Sequence, residues 1–99
     1  MVAGVDFSFP MLERARACQR ETGADRILFC QADAERLPLA DHSVDIALVN
    51  GIFNLNPNRS AIFRELGPVM SLSGAVYAAE LVLREPLPAS QRCESNWFA

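Results

Sequence analysis

The 99-residue chain predicts an α/β fold, and three observations carry that prediction. Short, almost wholly apolar runs recur along it, as in strands covered on both faces of a parallel sheet. Between them lie segments with helical periodicity or long polar crossovers, the connections that parallel strands require. The breaks carry capping and turn residues, among them Ser8, Gly23 and the asparagines around Pro57. The expected architecture has three layers, with residues 2–5, 27–29, 44–49 and 76–81 in a mainly parallel sheet of four strands.

Residues 2–6 are apolar, have a β-branched bias and end on an acid, which reads as a short buried strand. Ser8 then offers an N-cap and Pro10 a first-turn residue. Met11, Leu12, Ala15 and Cys18 recur at helical spacing until Gly23 supplies a stop. Residues 26–30 hold Ile27, Leu28 and Phe29 in a run too short for a helix, giving the second strand. Residues 31–42 are polar and read as a loop with a helical turn at 34–36. Residues 44–49, with only Asp45 polar, form the third strand. Asn54, Asn56, Pro57 and Asn58 make a turn whose last residues can cap a helix. Ile62, Phe63, Leu66, Val69 and Met70 line one apolar stripe of that helix, expected to be core, and Pro68 within it predicts a kink or an early end. After Gly74, residues 75–83 give the fourth strand, and residues 84–99 form an irregular tail with Trp97 and Phe98. One domain over residues 1–99 accounts for this length.

Composition narrows the functional classes. Hydrophobic residues make up 51% and charged residues 21%, which excludes disorder as a description of the whole chain. The net charge is -3, and all nine basic residues are scattered arginines, so no basic stripe is available to neutralise phosphates. Nucleic acid and anionic membrane are therefore not expected partners. No apolar run approaches the roughly 18 residues of a membrane span, and the expectation is a soluble, cytoplasmic chain. Cys18, Cys30 and Cys93, odd in number and without C-x-x-C spacing, read as reduced thiols. Cys18 and Cys30 are expected on core faces and Cys93 in reach of solvent. One histidine and no paired ligand spacing give no metal site.

In open parallel sheets ligands bind beyond the carboxyl ends of the strands, which makes Asp6, Asp33 and Asn50 the informative positions. A carboxylate at a strand end can accept both hydroxyls of a ribose. Asp6 can equally begin the loop that Ser8 caps, and both roles stand at this point. His42, in a polar turn between Asp41 and Ser43, reads as a solvated loop residue rather than a general base. Glu80, ending the fourth strand beside Asn50, is a candidate to face substrate.

The stretches VAGVDFSFPMLERAR and FCQADAERLPLADHSVDIALVN together resemble the class I S-adenosylmethionine-dependent methyltransferases. That family shows hydrophobic-G-hydrophobic-D-x-S-x-x-M-L-x-x-A and then D-A-x-x-L-P-hydrophobic-x-D-x-S-hydrophobic-D, and the likeness covers roughly residues 2–83. A narrower likeness joins VNGIFNLNPNRSAIFRELGPVM to arsenite methyltransferases, where N-x-V-I-N-L-x-P precedes an F-R-E helix. The resemblance implies a Rossmann-like fold and S-adenosylmethionine as cofactor. Asp6 would hold the ribose hydroxyls, with Phe7 and Met11 near the adenine. Asp33 would accept from the adenine amino group, the Ala34 amide would donate to the ring, and Asn50 would line the methionine moiety.

The sequence departs from the family in two places. The glycine-rich G-x-G-x-G turn does not occur, because the chain opens where the family's second strand opens. The position of an arsenic-binding cysteine is Gly51. The expectation is a methyltransferase-like domain truncated at both ends, with cofactor binding weak or absent. In the family the missing strand separates the first and third strands found here. That gap is expected to close by direct pairing or by a homo-oligomer joined through exposed sheet edges. Two functions follow: methyl transfer to a small-molecule acceptor, or a non-catalytic remnant acting by protein association. No catalytic residue is assigned.

Overall fold

The computed structural model describes residues 1–91 and divides the chain into two units, the first being Met1–Leu39 and the second beginning at Ala40. Strands β1 (Val2–Asp6) and β2 (Ile27–Gln31) with helix α1 (Phe9–Thr22) build the first. Strands β3 (Val44–Asn50) and β4 (Met70–Ala79) with helix α2 (Arg59–Val69) build the second. Both pairs are parallel, so the chain holds a partial α/β fold of the expected kind. The strands form two two-stranded ladders, β1–β2 in the first unit and β3–β4 in the second.

In the first unit β1 and β2 run in register from Val2 opposite Ile27 to Asp6 opposite Gln31. Helix α1 crosses between them. Ser8 caps it as expected, its Oγ accepting from the Met11 amide, and Gly23 ends it with φ 72° while its N–H donates to the Gln19 carbonyl. Leu12, 2% exposed, is the buried residue of this helix. Ala15 and Gln19 follow it at i+3 and i+7 on the same face, and Gln19 Nε2 donates to the Ile27 carbonyl at 3.1 Å. Cys18, six residues after Leu12, is rotated by about 120° from that face. It is exposed, not buried as expected. Cys30 is exposed for a related reason. Side chains alternate along β2, so Ile27 and Phe29 share the half-buried face while Leu28 and Cys30 point to the open one.

In the second unit β3 and β4 are in register from Ile46 opposite Ala75 to Asn50 opposite Ala79. Helix α2 ends one residue after Pro68, the early end that proline predicts. Met70 is therefore not the last member of the helical stripe but the first residue of β4, which starts five residues before the expected Ala75. The Met70 amide still donates to the Leu66 and Gly67 carbonyls, and the His42 amide takes the Pro68 carbonyl at 2.9 Å. Between Val44–Met70 and Ile46–Ala75 the register shifts, two steps of β3 facing five of β4. Gly74 lies in that irregularity, where a Cβ would stand 3.0 Å from the Asp45 carbonyl oxygen. The stripe of α2 is core in part: Ile62 and Val69 are buried, whereas Phe63 is 58% exposed.

The strands are less covered than their composition predicts. Leu28, Ile46 and Tyr77 are exposed and Leu48 is 80% exposed. Two helices among the described residues do not cover both faces of four strands. No helix among them is long and apolar enough to cross a membrane. Trp97, Phe98 and Cys93 lie outside the described residues.

Leu12→Ala is expected to cost about 2–5 kcal/mol, because it removes the buried contact of α1. Cys18→Ala is expected to stay within about 0.5 kcal/mol. Urea titration followed by circular dichroism separates the two, and equal losses would return Cys18 to the covered face.

Candidate functional site

Parallel pairing delivers the ends of β1 and β2 to one edge of the first unit. The ladder continues past Asp6, whose carbonyl accepts from the Ala32 amide at 3.1 Å. Asp6 Oδ1 accepts from the Ser8 amide at 2.8 Å, so the loop-starting role holds and occupies one oxygen. Its second carboxylate oxygen carries no hydrogen bond among the described residues. Asp33, two residues beyond β2, builds the adjoining turn. Its Oδ1 accepts from the Glu35 amide and its carbonyl from the Arg36 amide, both at 2.9 Å. That i-to-i+3 turn replaces the helical turn expected at 34–36. The Ala34 amide between them has no partner among the described residues.

Apolar surface borders these acids. Phe7 is 73% exposed and Met11, in the first turn of α1, is 48% exposed. Gln31 is the residue that sequence reasoning missed: its Nε2 donates to the Phe7 carbonyl at 3.0 Å and so fixes the chain as it leaves β1. No signal in the sequence marked it, because the contact depends on the register that sets Gln31 opposite Asp6. Asp6, Phe7, Asp33 and Ala34 thus gather at one ladder end.

Asn50 belongs to the second unit, where it ends β3 opposite Ala79 and is exposed. Gly51 follows with φ 69°, a left-handed backbone that glycine adopts without strain, and its amide donates to the Ala79 carbonyl at 3.0 Å. The chain then makes a short 3-10 turn, Phe53–Leu55. Its free amides converge on one side chain. Glu80 Oε1 accepts from Ile52 at 3.1 Å and Phe53 at 3.0 Å, and Oε2 accepts from Asn54 at 3.2 Å. Arg59 Nε donates to the Phe53 carbonyl at 2.8 Å. The Phe53 ring stacks on Phe63 with centroids 4.5 Å apart.

Desolvation pushes the Glu80 carboxyl upward, but the three amides and the Arg59 charge outweigh it and hold the group below the ordinary glutamate range. The carboxylate expected to face substrate is therefore engaged by the loop after β3. Beside it lies an open cleft of about 290 Å³, bounded by Phe53, Asn54, Arg59 and Glu80 with residues 81–83 along one side. Asn54 Oδ1 is buried without a partner. His42 is held in the α2–β4 junction, its Nδ1 lying 3.1 Å from the Met70 carbonyl oxygen, which fits the loop role.

A family model described as a methyltransferase domain matches residues 1–98. The chain is 30% identical over 87 residues to the arsenite methyltransferase of Halobacterium salinarum, spanning 88% of this chain and 22% of that protein. Among solved structures, the [4+2]-cyclase SpnF is 28% identical with a TM-score of 0.80, over 87% of this chain and 32% of that one. A Methanococcus maripaludis protein assigned to the S-adenosyl-L-methionine-dependent methyltransferases is 25% identical with a TM-score of 0.75, over 79% of this chain and 36% of that one. The chain thus spans between about a fifth and about a third of the length of these proteins.

The Glu80 contacts generate a pH dependence. A carboxyl held below its unfolded value, roughly 4.3 for glutamate, stabilises fully above that value. The stabilisation is lost as pH falls through the folded value. Thermal melts between about pH 6 and pH 3 should therefore show a steeper acid loss for the native chain than for Glu80→Gln, which carries no such titration. Parallel profiles would show that the amide contacts do not form.

Proposed function

Since this chain belongs to the methyltransferase domain family, we propose that it binds S-adenosylmethionine and serves methyl transfer to a small-molecule acceptor in the cytoplasm. The observation that carries the reading is the pairing of Asp6 and Asp33 at one end of a parallel ladder, bordered by exposed Phe7 and Met11. Those residues fit an adenosine. Asp6 keeps one oxygen clear of its turn for ribose hydroxyls, and Asp33 keeps one for an exocyclic amino group. The unpartnered Ala34 amide suits a ring nitrogen, and the apolar surfaces of Phe7 and Met11 suit the faces of the base. On the family resemblance alone, Asn50 would line the methionine moiety. When bound, the cofactor supplies a methyl group already activated on a sulfonium. The protein's part is to position and to exclude water, and no side chain here is assigned as a general base.

The acceptor is an oxygen, nitrogen or carbon nucleophile on this reading. The Halobacterium salinarum relative is named for arsenite. By the resemblance, Gly51 in this chain occupies the position of the family's arsenic-binding cysteine. The likeness to a cyclase, SpnF, makes the residues rather than the fold the basis of the reaction class. A second reading, association with another chain, including a second copy through exposed sheet edges, is favoured by the uncovered Leu28, Ile46 and Leu48.

Titration with S-adenosylhomocysteine, followed by amide spectra, should move Asp6, Phe7, Asp33, Ala34 and Asn50. The expected affinity is millimolar, worth about 4 kcal/mol. Asp6→Asn keeps an oxygen for the Ser8 amide and removes the charge, and it should abolish the response. Silence at millimolar ligand would favour association instead.

A further inference from the structure

Between β1 and α1 the chain turns on one peptide unit, the one that joins Phe7 to Ser8. Its N–H donates to Asp6 Oδ1 at 2.8 Å, and its C=O accepts from Gln31 Nε2 at 3.0 Å. The N–H and C=O of a planar trans peptide point to opposite sides, so the plane is held at both edges and cannot rotate without breaking a bond. The two holders are partners in the register, Asp6 and Gln31 closing their strands opposite each other. The Asp6 carbonyl also accepts from the Ala32 amide at 3.1 Å, which fixes the strand end that carries the carboxylate. Gln31 itself is exposed, so its contact supplies position and not core packing.

We propose that Gln31 is a positioning residue for Asp6: by holding the Phe7 carbonyl it aims the Ser8 N–H at Asp6 Oδ1, and so fixes which carboxylate oxygen is left for ribose hydroxyls. The proposal rests on the reading that Asp6 receives the ribose of an adenosine. Strength follows from the same geometry. A peptide whose carbonyl accepts a hydrogen bond is polarised and donates more strongly through its N–H. Without Gln31 the plane is free to turn, and the Asp6 carboxylate, whose terminal torsion is broad and roughly two-fold, loses its single orientation. Asp33 stands outside this chain of contacts, since its Oδ1 is held by the Glu35 amide in the next turn. Loss of Gln31 therefore reaches the ribose side of the site and leaves the base side as it was.

The experiment uses the full chain, native and Gln31→Met, a substitution that keeps the length of the side chain and its lack of charge but removes the donor. Each is titrated with adenosine and with 2′,3′-dideoxyadenosine, which lacks both ribose hydroxyls, and the response is read from amide spectra. The native chain should prefer adenosine about tenfold, equivalent to about 1.4 kcal/mol. In the variant the two nucleosides should bind alike, the dideoxy compound as in the native chain. Exchange at the Ser8 amide should quicken while the β1–β2 ladder is unchanged. A variant that keeps the native preference overturns the proposal. So does an equal loss for both nucleosides, which is what a merely structural role would give. Should the methionine variant not fold, Gln31→Ala carries the same comparison. Failure of the functional reading is distinct, because it is seen before Gln31 is altered: the native chain would answer neither nucleoside, or both alike, and the proposal would fall with its premise.

Discussion

Two strands that run parallel finish at the same edge, and this constraint organises what the chain can do. In the first unit it sets Asp6 opposite Gln31 and carries Asp33 into the adjoining turn. In the second it sets Asn50 opposite Ala79, so that Glu80, the residue after β4, meets the loop leaving β3. Neither arrangement depends on residues near each other in sequence. Both follow from a ladder whose rungs fix which departures lie side by side. An antiparallel pairing of the same segments would send Asp6 and Asp33 to opposite edges.

Much of the local structure was legible because its causes are local. Ser8 and Gly23 bound α1 through capping contacts made within a few residues, and Pro68 ends α2 by lacking a donor. Asp6 shows how two readings of one side chain can be compatible, since the Ser8 contact uses only one of its oxygens. What was not legible depends on partners distant in sequence. The start of β4 at Met70 is set by pairing with Val44, and Ser71, Ser73 and Gly74 broke the apolar run that would have marked it. Cys18 looked like core because apolar spacing was counted without following the angle around the helix from Leu12. The Glu80 clasp was invisible for the same reason as the strand start: it requires the register that brings residue 80 beside residues 52–54.

The apolar composition of the strands predicts cover on both faces, and the described residues provide it only in places. Leu12, Phe53, Ile62 and Val69 are the buried apolar residues. Each lies on or against a helix or a 3-10 turn, whereas Leu28 and Leu48 sit on strand faces left exposed among the described residues. Hydrophobic patterning of this sort records the environment in which a strand is stable, and relatives about three or more times as long supply more chain with which to build it.

Helix α2 passes into β4 with no intervening residue, Val69 closing one and Met70 opening the other. Such a junction has no slack. Removing or adding a residue inside the helix would swing its apolar side by about 100°. A one-residue change within the paired part of the strand would exchange its two faces. The irregular stretch at residues 71–74 is where this unit can absorb a change of length, because those residues are already out of step with β3. Evolutionary drift in chain length would therefore accumulate at this expansion joint, leaving the helix and the Asn50 end of the ladder in phase.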